Sequence, residues 1–388
     1  MLRLTIDVDY LAGVLKALLD TPSPAGYTDT VVRWCCEELA RRGVAYELTR
    51  RGAIRAHLPG RESKGARALV AHLDTLGAMV KGLKDNGRLE LVPIGHWSSR
   101  FAEGARCTLF SEHGSYRGSI LPLKASGHTF NEQIDTQPTA WEHVELRVDA
   151  LARNRRDLVR LGIAIGDTVA IDTRSEFLPN GFIVSRHLDD KAGCAAMLAA
   201  IRALAESQEP LPVDMFFIFT ISEEVGIGAS SVLTHDIASL VTVDNGTTAP
   251  GQASDEFGVT IAMADQTGPF DYHLTRKLVR LCRENDIAYQ QDLFRYYRSD
   301  SASALEAGYD VRTALITFGI DASHGHERIH MHALRSLGEL ITAYARSPVE
   351  IERDAVELAS SLRGFTEQPM EEAPTTRLRP EGPEEKPK

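Results

Sequence analysis

The chain has 388 residues, 43% of them hydrophobic, and a formal net charge of −11, so it is long enough for one large domain or two. The acidic balance excludes a nucleic-acid surface, which requires clustered lysine and arginine, and the apolar runs are too short to span a bilayer. Because the N-terminus "MLRLTIDVDYL" also lacks the basic-then-apolar order of a signal peptide, we expect a cytoplasmic location without nucleic-acid or membrane partners.

The first part of the chain predicts two helices followed by one buried strand. Residues 9–20 and 28–42 have helical patterns, with Thr28 as a candidate N-cap and Gly43 where a helix-ending glycine belongs. The run "ARALVAHLD" (66–74) is apolar and ends in polar residues. Such a run is typical of a buried parallel strand with a functional carboxyl end.

Residues 76–175 have a different character. Short β-type segments with Gly and Pro between them, "GRLELVPIGHW", "ARCTLF" and "YRGSILPL", precede one helix-like stretch, "VDALARNRRDLVRLG" (148–162). We therefore predict a small β-rich unit inserted into a discontinuous main domain made of residues 1–75 and 176–363.

Strands and helices alternate after the insert. Strands are predicted at 181–189, 213–224, 238–244 and 311–319, and helices at 191–205, 271–285 and 330–362, the last divided by Pro348. This alternation predicts an α/β sheet with helices on both faces. The Pro-, Glu- and Thr-rich composition of residues 364–388 predicts a disordered tail.

Polar residues follow four of the predicted strands, and all of them are possible metal ligands. They are His72 and Asp74, Asp189 and Asp190, Glu223 and Glu224, and Asp244. Since the carboxyl ends of strands line the ligand crevice of an open α/β sheet, we expect these side chains to lie together. Imidazole and carboxylate bind divalent ions, and two ions about 3.5–4 Å apart can activate a water.

Simpler interpretations exist for each group. A lone acid at a strand end is most often a helix N-cap or a solvated loop residue, and Asp190 could cap the helix that starts at Lys191. A second imidazole could come from "HGHERIHMHAL", which contains His324, His326, His330 and His332, or that cluster could be an incidental surface feature. Four strand ends with the same chemistry nevertheless favour a cation site.

Several blocks in a fixed order resemble metallopeptidase family forty-two, the tetrahedral (TET) and glutamyl or deblocking aminopeptidases. They are "PSPAGY", "HLDTLG", "VKGLKDNGRLELVPIGHW", "LDDKAGC", "SEEVGIGA", "VDNG", "RSDSASALEAG" and "RIHMHAL". The resemblance covers roughly residues 9–350. It implies the fold of aminopeptidases that use two metal ions in catalysis, in which helices cover both faces of a mixed sheet. It also implies that the insert is a dimerisation domain, with dimers assembling into a tetrahedral dodecamer.

The same resemblance implies roles for individual residues. The expected metal ligands are His72, Asp189, Glu224, Asp244 and His330. Asp189 would bridge two divalent ions and be followed by a cis peptide bond. Zinc is expected first, and cobalt or manganese would also suit these ligands. Glu223 would be the general base, and Asp74 would orient the imidazole of His72.

Some positions depart from the family pattern on the substrate side. Lys191 stands where the family usually has Arg, Met331 where it has Ser, and "RSDSAS" replaces a Gly-Thr-Asp block, with Asp300 in the Asp position. These features are also similar to a bacterial subgroup linked to the osmolyte N-acetylglutaminylglutamine amide. The main hypothesis is an aminopeptidase that acts on short peptides.

Two alternatives stay open. One is an amide hydrolase that acts on an N-acylated dipeptide, and the other is an inactive metal-binding protein. The inactive protein is disfavoured because every expected ligand and the base are present. Phosphate-loop and G-x-S-x-G motifs are missing from the sequence, which argues against nucleotide hydrolysis and serine catalysis.

Overall fold

The structure, a computed structural model, describes residues 4–234, 237–355 and 362–370. The α-helices in these ranges are α1 (Val8–Leu19), α2 (Asp29–Arg41), α3 (Gly127–Phe130), α4 (Gln133–Thr136), α5 (Arg155–Arg160), α6 (Leu188–Ser207), α7 (Tyr272–Glu284), α8 (Asp300–Glu306) and α9 (Met331–Arg346). The strands of the first half are β1 (Ala45–Leu48), β2 (Ile54–Leu58), β3 (Gly60–His72), β4 (Gly77–Leu83), β5 (Leu89–Ile94), β6 (Arg106–Ser111), β7 (Gly114–Pro122), β8 (Val144–Val148) and β9 (Thr168–Ile171). The remaining strands are β10 (Glu176–Phe177), β11 (Phe182–Ser185), β12 (Leu211–Thr220), β13 (Ile237–Thr247), β14 (Val259–Asp265), β15 (Gly268–Pro269), β16 (Tyr289–Leu293), β17 (Arg312–Ile320) and β18 (Glu327–His330).

A nine-stranded mixed sheet forms the main domain. Its order is β1-β2-β12-β3-β13-β17-β14-β15, and β16 pairs with β14. The four central strands, β12, β3, β13 and β17, are parallel, so their carboxyl ends lie at one edge. The Ala-rich helix α6 is buried along most of its length and packs against β3, β13, α1 and α9. The predicted α/β fold with a mixed sheet is confirmed.

The insert is a closed six-stranded barrel in the order β4-β5-β8-β7-β6-β9. Its strands run from Gly77 to Ile171, and it encloses its own apolar core, which includes Leu89, Leu109 and Leu146. The helix predicted at 148–162 is much shorter. Val148 ends β8, and α5 begins only after Asn154, whose side chain accepts a hydrogen bond from the backbone N–H of Asp157.

Two further predictions differ from the structure. The strand predicted at 181–189 is only β11, which pairs with β10 and β18 in a separate three-stranded sheet and not in the main sheet. The helix predicted at 330–362, divided by Pro348, is α9 up to Arg346, because Pro348 disfavours helical backbone at the residue before it. Beyond Pro348 the described residues contain only a short 3-10 helix, Glu352–Ala355, and residues 356–361 of the prediction lie outside the described ranges.

The predicted disordered tail, residues 364–388, lies mainly outside the described part of the chain. Residues 364–370 are described and contain neither helix nor strand, whereas residues 371–388 fall outside the described ranges. Among the described helices, none combines the length and the apolar character that a membrane crossing would need.

Candidate metal centre and active site

The predicted ligands come together at the carboxyl edge of the parallel strands. His72 is the last residue of β3, Glu223 and Glu224 follow the end of β12, and Asp244 lies near the end of β13. Asp189, in the first turn of α6, lies close to His72 and Glu224. The residues His72, Asp189 and Asp244 are all less than 5% exposed. These residues therefore share one buried site and cannot be separately solvated.

Asp189 lies between two imidazoles. Its Oδ1 is 3.1 Å from Nε2 of His72, and its Oδ2 is 3.3 Å from Nε2 of His324. The amide of Asn245 donates to the same Oδ2 at 2.7 Å, and the peptide bond from Asp189 to Asp190 is cis. The Asp189 carboxylate thus directs one oxygen to each imidazole.

The two imidazoles are oriented in the same way, through their Nδ1 atoms. His72 Nδ1 lies 2.9 Å from the carbonyl oxygen of Asp74, and His324 Nδ1 lies 2.9 Å from the carbonyl oxygen of His96. A carbonyl can only accept, so each Nδ1 carries the proton and donates it. Both Nε2 atoms consequently face the acids, as a metal-binding histidine requires.

His330 is not brought to this cluster. Its Nε2 donates to the carbonyl oxygen of Asn180, its Nδ1 accepts from the backbone N–H of His332, and its ring packs against Phe182 and Phe257. Pairing of β18 with β11 places His330 directly opposite Phe182, which holds it away from the acids.

His324 occupies the place that the sequence interpretation had assigned to His330. A usable signal was present in the sequence, because His324 follows the end of β17 by four residues, as Glu224 follows the end of β12. The rule that acids and histidines follow strand ends, applied to "VRTALITFG", would have added Asp321 and His324 to the candidates.

Asp74 contacts the His72 imidazole, as predicted, but through its backbone carbonyl and not its carboxylate. Its carboxylate is 3.7 Å from the His72 ring, beyond hydrogen-bonding distance, and it accepts from the backbone N–H groups of Glu223 at 3.1 Å and Glu224 at 3.3 Å. Burial raises the pKa of Asp74 to about 6, while the charge of His72 and the donated N–H groups lower it. The carboxylate thus holds the turn that carries the glutamate pair, and the carbonyl of Asp74 orients the imidazole.

The turn after β12 is fixed from its other side by Asp300. The Thr220 hydroxyl donates to Asp300 Oδ2 at 2.7 Å, and the backbone N–H of Ala229 donates to Oδ1 at 2.8 Å. At Gly228 a Cβ atom would lie 2.2 Å from Asp300 Oδ1, so only glycine fits there. This contact explains the second glycine of "SEEVGIG", Gly228, because the turn packs closely against the Asp300 carboxylate that accepts its hydrogen bonds.

The first loop of the chain supports the segment after β3. The Ser23 hydroxyl donates to the carbonyl oxygen of Leu73 at 2.7 Å, and the N–H of Thr75 donates to the carbonyl oxygen of Ser23 at 2.9 Å. Lys191, which stands where the family usually has Arg, donates its Nζ to the carbonyl oxygens of Leu18 and Thr21. Lys191 therefore ties the start of α6 to the loop that holds Asp74.

Glu223 and Glu224 point to different imidazoles. Glu223 Oε2 is 3.8 Å from Nε2 of His72, and Glu224 Oε2 is 3.8 Å from Nε2 of His324. Burial raises the pKa of both carboxyls well above the usual range, and neighbouring carboxylates raise them further. Burial and the charge of Asp189 likewise raise the pKa of Asp244 to about 7. The site therefore holds more negative charge than its imidazoles can balance.

The donor set fits divalent cations. Two overlapping groups, His72–Asp190–Asp244 and His72–Asp189–Glu224, each place their ligand atoms within 4.8 Å of one another. Glu224 Oε1 and Asp190 Oδ1 are buried and have no hydrogen-bond partner among the described residues. Buried, unpaired carboxylate oxygens are costly unless a cation binds them, and this N/O set suits zinc, cobalt or manganese.

Asp190 is held by the strand beside it. Its Oδ2 accepts from the backbone N–H of His72 at 3.1 Å, although the sequence allowed that it merely caps the following helix. Burial raises the pKa of the Asp190 carboxyl well above its usual range, and Asp244 raises it further. Asp190 therefore belongs to the same buried cluster as the predicted ligands.

The chain is similar to known aminopeptidases. The family model described as M42 glutamyl aminopeptidase matches residues 52–340. The protein named "Putative aminopeptidase YhfE" from Bacillus subtilis (strain 168) is 37% identical over 337 residues, which cover 87% of this chain and 97% of that protein.

Solved structures share the fold. The TET aminopeptidase from the marine sediment archaeon Thaumarchaeota archaeon SCGC AB-539-E09 has a TM-score of 0.81 at 16% identity, covering 90% of this chain and 99% of that chain. The Pyrococcus horikoshii TET1 peptidase, which can assemble into a tetrahedron or a large octahedral shell, has a TM-score of 0.75 at 22% identity, covering 86% and 99%. The buried cluster of possible metal ligands agrees with a metal-dependent enzyme. The family match and this relative place the chain in the M42 aminopeptidase family, whose members are metal-dependent peptide hydrolases.

Proposed function

We propose that the protein is an aminopeptidase that removes N-terminal residues from short peptides with the help of two divalent metal ions. The observation that carries this proposal is the Asp189 carboxylate between the Nε2 atoms of His72 and His324. His72, Asp189 and Asp244 would hold one ion, and His324, Asp189 and Glu224 would hold the other. Zinc is the first candidate, with cobalt or manganese as alternatives.

Glu223 is proposed as the general base. Bound divalent ions would supply Lewis-acid activation of a water molecule and of the scissile carbonyl. Glu223 takes the proton from the attacking water, the C–N bond breaks after the new C–O bond forms, and Glu223 gives the proton to the departing amine. Burial raises the pKa of Glu223 well above its usual range, and the charge of His72 lowers it. Asp74 keeps the base in place through the backbone N–H of Glu223.

The substitution Glu223→Gln tests this role. The amide retains the size of the side chain but cannot accept a proton, so kcat should fall by about 10²–10⁴-fold. Metal content per subunit, measured by elemental analysis, should stay at the wild-type value because the proposed ligands are unchanged. Wild-type activity in this variant would remove Glu223 from the mechanism.

The substrate class is tested with matched peptides. Free N-terminal and N-acetylated Gln and Glu peptides are incubated with the protein and zinc, cobalt or manganese. Cleavage of the free peptides supports the aminopeptidase, and cleavage of the acetylated peptides alone would support the amide hydrolase of an N-acylated dipeptide. Tight metal binding without turnover of either set would indicate an inactive metal-binding protein.

We also propose that the protein is a homo-oligomer whose dimers form through the barrel. The Pyrococcus horikoshii TET1 peptidase, a structural neighbour, can assemble into a tetrahedron or an octahedral shell. In this proposal residues 76–175 are the dimerisation domain, residues 1–75 and 176–363 are the catalytic domain, and twelve subunits form the closed particle. Light scattering coupled to size exclusion gives the mass directly, and a stable monomer at micromolar concentration would overturn the proposal.

A further inference from the structure

Glu327 is a buried carboxylate that contacts the two turns on which proposed metal ligands lie. Its Oε2 accepts from the backbone N–H of Leu188 at 2.7 Å and of Asp189 at 3.2 Å. Its Oε1 accepts from the backbone N–H of His324 at 2.9 Å. The residue is 1% exposed, so water does not compete for these bonds. One side chain therefore joins the first turn of α6 to the loop after β17.

Both of these segments contain a non-glycine residue in the left-handed conformation. His187, which precedes the first turn of α6, has a φ of 64°, and His324 has a φ of 67°. Non-glycine residues rarely adopt this left-handed conformation, so surrounding contacts must hold it. Glu327 can make these contacts because β18 pairs with β11, which sets Glu327 opposite Ser185, at the strand end that leads into the first turn.

We propose that Glu327 is a positioning residue that sets the separation of Asp189 and His324 and thereby builds one of the two metal positions. The inference rests on the two-metal function proposed above. The position concerned is the one formed by His324, Asp189 and Glu224. The other position shares Asp189 but takes His72 and Asp244 from β3 and β13, which strand pairing with β12 and β17 holds in place. Loss of Glu327 should therefore weaken the position that contains His324 more than the other.

Glu327→Gln is the sharpest perturbation. Glutamine has the same size but only one acceptor oxygen, so it can serve either the Leu188–Asp189 side or the His324 side, and its NH₂ group faces the N–H groups of the other. Residues that support metal ligands in this way typically change metal affinity by about 10–100-fold when substituted. We expect a loss of this size for the weaker of two sequential binding steps and a smaller loss for the first step, because the two positions share Asp189.

The matched control is Glu256→Gln. Glu256 is also a largely buried carboxylate, but it pairs at 2.8 Å with Arg328, the neighbour of Glu327 on β18. Removing the charge of Glu256 disturbs β18 through Arg328. It removes no hydrogen-bond acceptor from the first turn of α6 or from the loop after β17. Both metal affinities should stay at their wild-type values in this variant.

The measurement is titration of chelator-treated full-length protein with zinc by calorimetry and with cobalt by visible absorption. The inference is overturned if Glu327→Gln binds two ions with wild-type affinities, or if both steps weaken equally. Wild-type protein that binds fewer than two ions would instead refute the proposed function, so the two failures are distinguishable.

A second variant covers the case in which Glu327→Gln does not fold. Glu327→Asp keeps both acceptor oxygens on a shorter side chain and should lose less affinity at the second step than the glutamine variant. An aspartate variant that binds both ions more weakly, by the same factor, would also overturn the inference. Thermal unfolding of each variant identifies the folded ones before titration.

Discussion

The carboxylate of Asp74 offers a test that separates two roles within one residue. Asp74 is fully buried, its carboxylate accepts from the N–H groups of Glu223 and Glu224, and its carbonyl oxygen accepts from His72 Nδ1. Asp74→Asn changes only the first of these contacts. The backbone carbonyl is retained, so the imidazole of His72 should keep its orientation and its metal.

The size of the effect follows from the lost acceptor. Asparagine can accept from one of the two N–H groups, and the other is left buried against an amide NH₂, which costs about 1–3 kcal/mol. Part of this cost is offset in the folded state, because burial already raises the pKa of Asp74 to about 6 and the substitution removes a charge near Asp300. If the turn shifts to relieve the mismatch, the displaced base loses the same 1–3 kcal/mol of transition-state stabilisation, or about 5- to 150-fold in kcat.

The assay compares kcat and bound metal at pH 8, where Asp74 is ionised in the wild type. We expect a lower kcat with two ions still bound, and a small change in the midpoint of thermal unfolding. Asp149→Asn is the control, because that exposed carboxylate pairs with Arg106 in the barrel. The reasoning is refuted if Asp74→Asn loses a metal ion while the remaining enzyme keeps its kcat, since that pattern would mean that the carboxylate supports His72.

Three other predictions follow from the site. His324→Ala should remove one of two bound ions and His330→Ala should keep both, as read by elemental analysis, and the opposite pattern would return the ligand role to His330. Gly228→Ala should lower the free energy of unfolding by about 1–3 kcal/mol, because the new Cβ would lie 2.2 Å from an Asp300 oxygen. The unfolding temperature and kcat should both fall. In chelator the folded protein should lose stability as pH rises from about 4 to 7. Burial raises the pKa of Asp244 from 3.8 to about 7, so the folded state binds more protons than the unfolded state across this window. Saturating zinc should remove this decline in thermal unfolding, and an unchanged slope would count against a cation at Asp244.

The local patterns of the sequence predicted the centre of the fold well. The apolar runs that became β3, β12, β13 and β17 are near-continuous, as expected for strands buried on both faces. Ionisable side chains at the ends of such buried runs are costly unless they bind a partner. For this reason His72, Glu224 and Asp244 could be named without a structure. The sheet membership of β11 could not be predicted, because a four-residue strand carries no information about which sheet it joins.

The choice among the four histidines shows what local pattern leaves out. One contact that places His324 is local, since its backbone N–H donates to Glu327 three residues later. The contact that orients its ring comes from a distant part of the chain, because Nδ1 donates to the carbonyl of His96 in the loop after β5. Strand pairing of β18 with β11 keeps His330 away from the acids. The ring contact and the strand pairing have no local sequence signature, so the sequence alone could not decide between the two histidines.

The contacts of His324 also bear on what the inserted barrel does. The loop after β5 carries the His96 carbonyl that orients this imidazole, and at Gly95 a Cβ would lie 2.5 Å from a Leu76 side-chain atom and 3.3 Å from the Glu224 carbonyl oxygen. Trp97 fixes the same loop to the barrel by donating its indole N–H to the carbonyl oxygen of Gly77. The insert, which begins just after Asp74, therefore contacts His324 and Glu224, two proposed ligands of one metal position. The contacts to the proposed metal position lie within one chain, so they are separable from the joining of subunits that we propose for the barrel. A barrel substitution that breaks the oligomer but spares the loop should leave metal affinity unchanged.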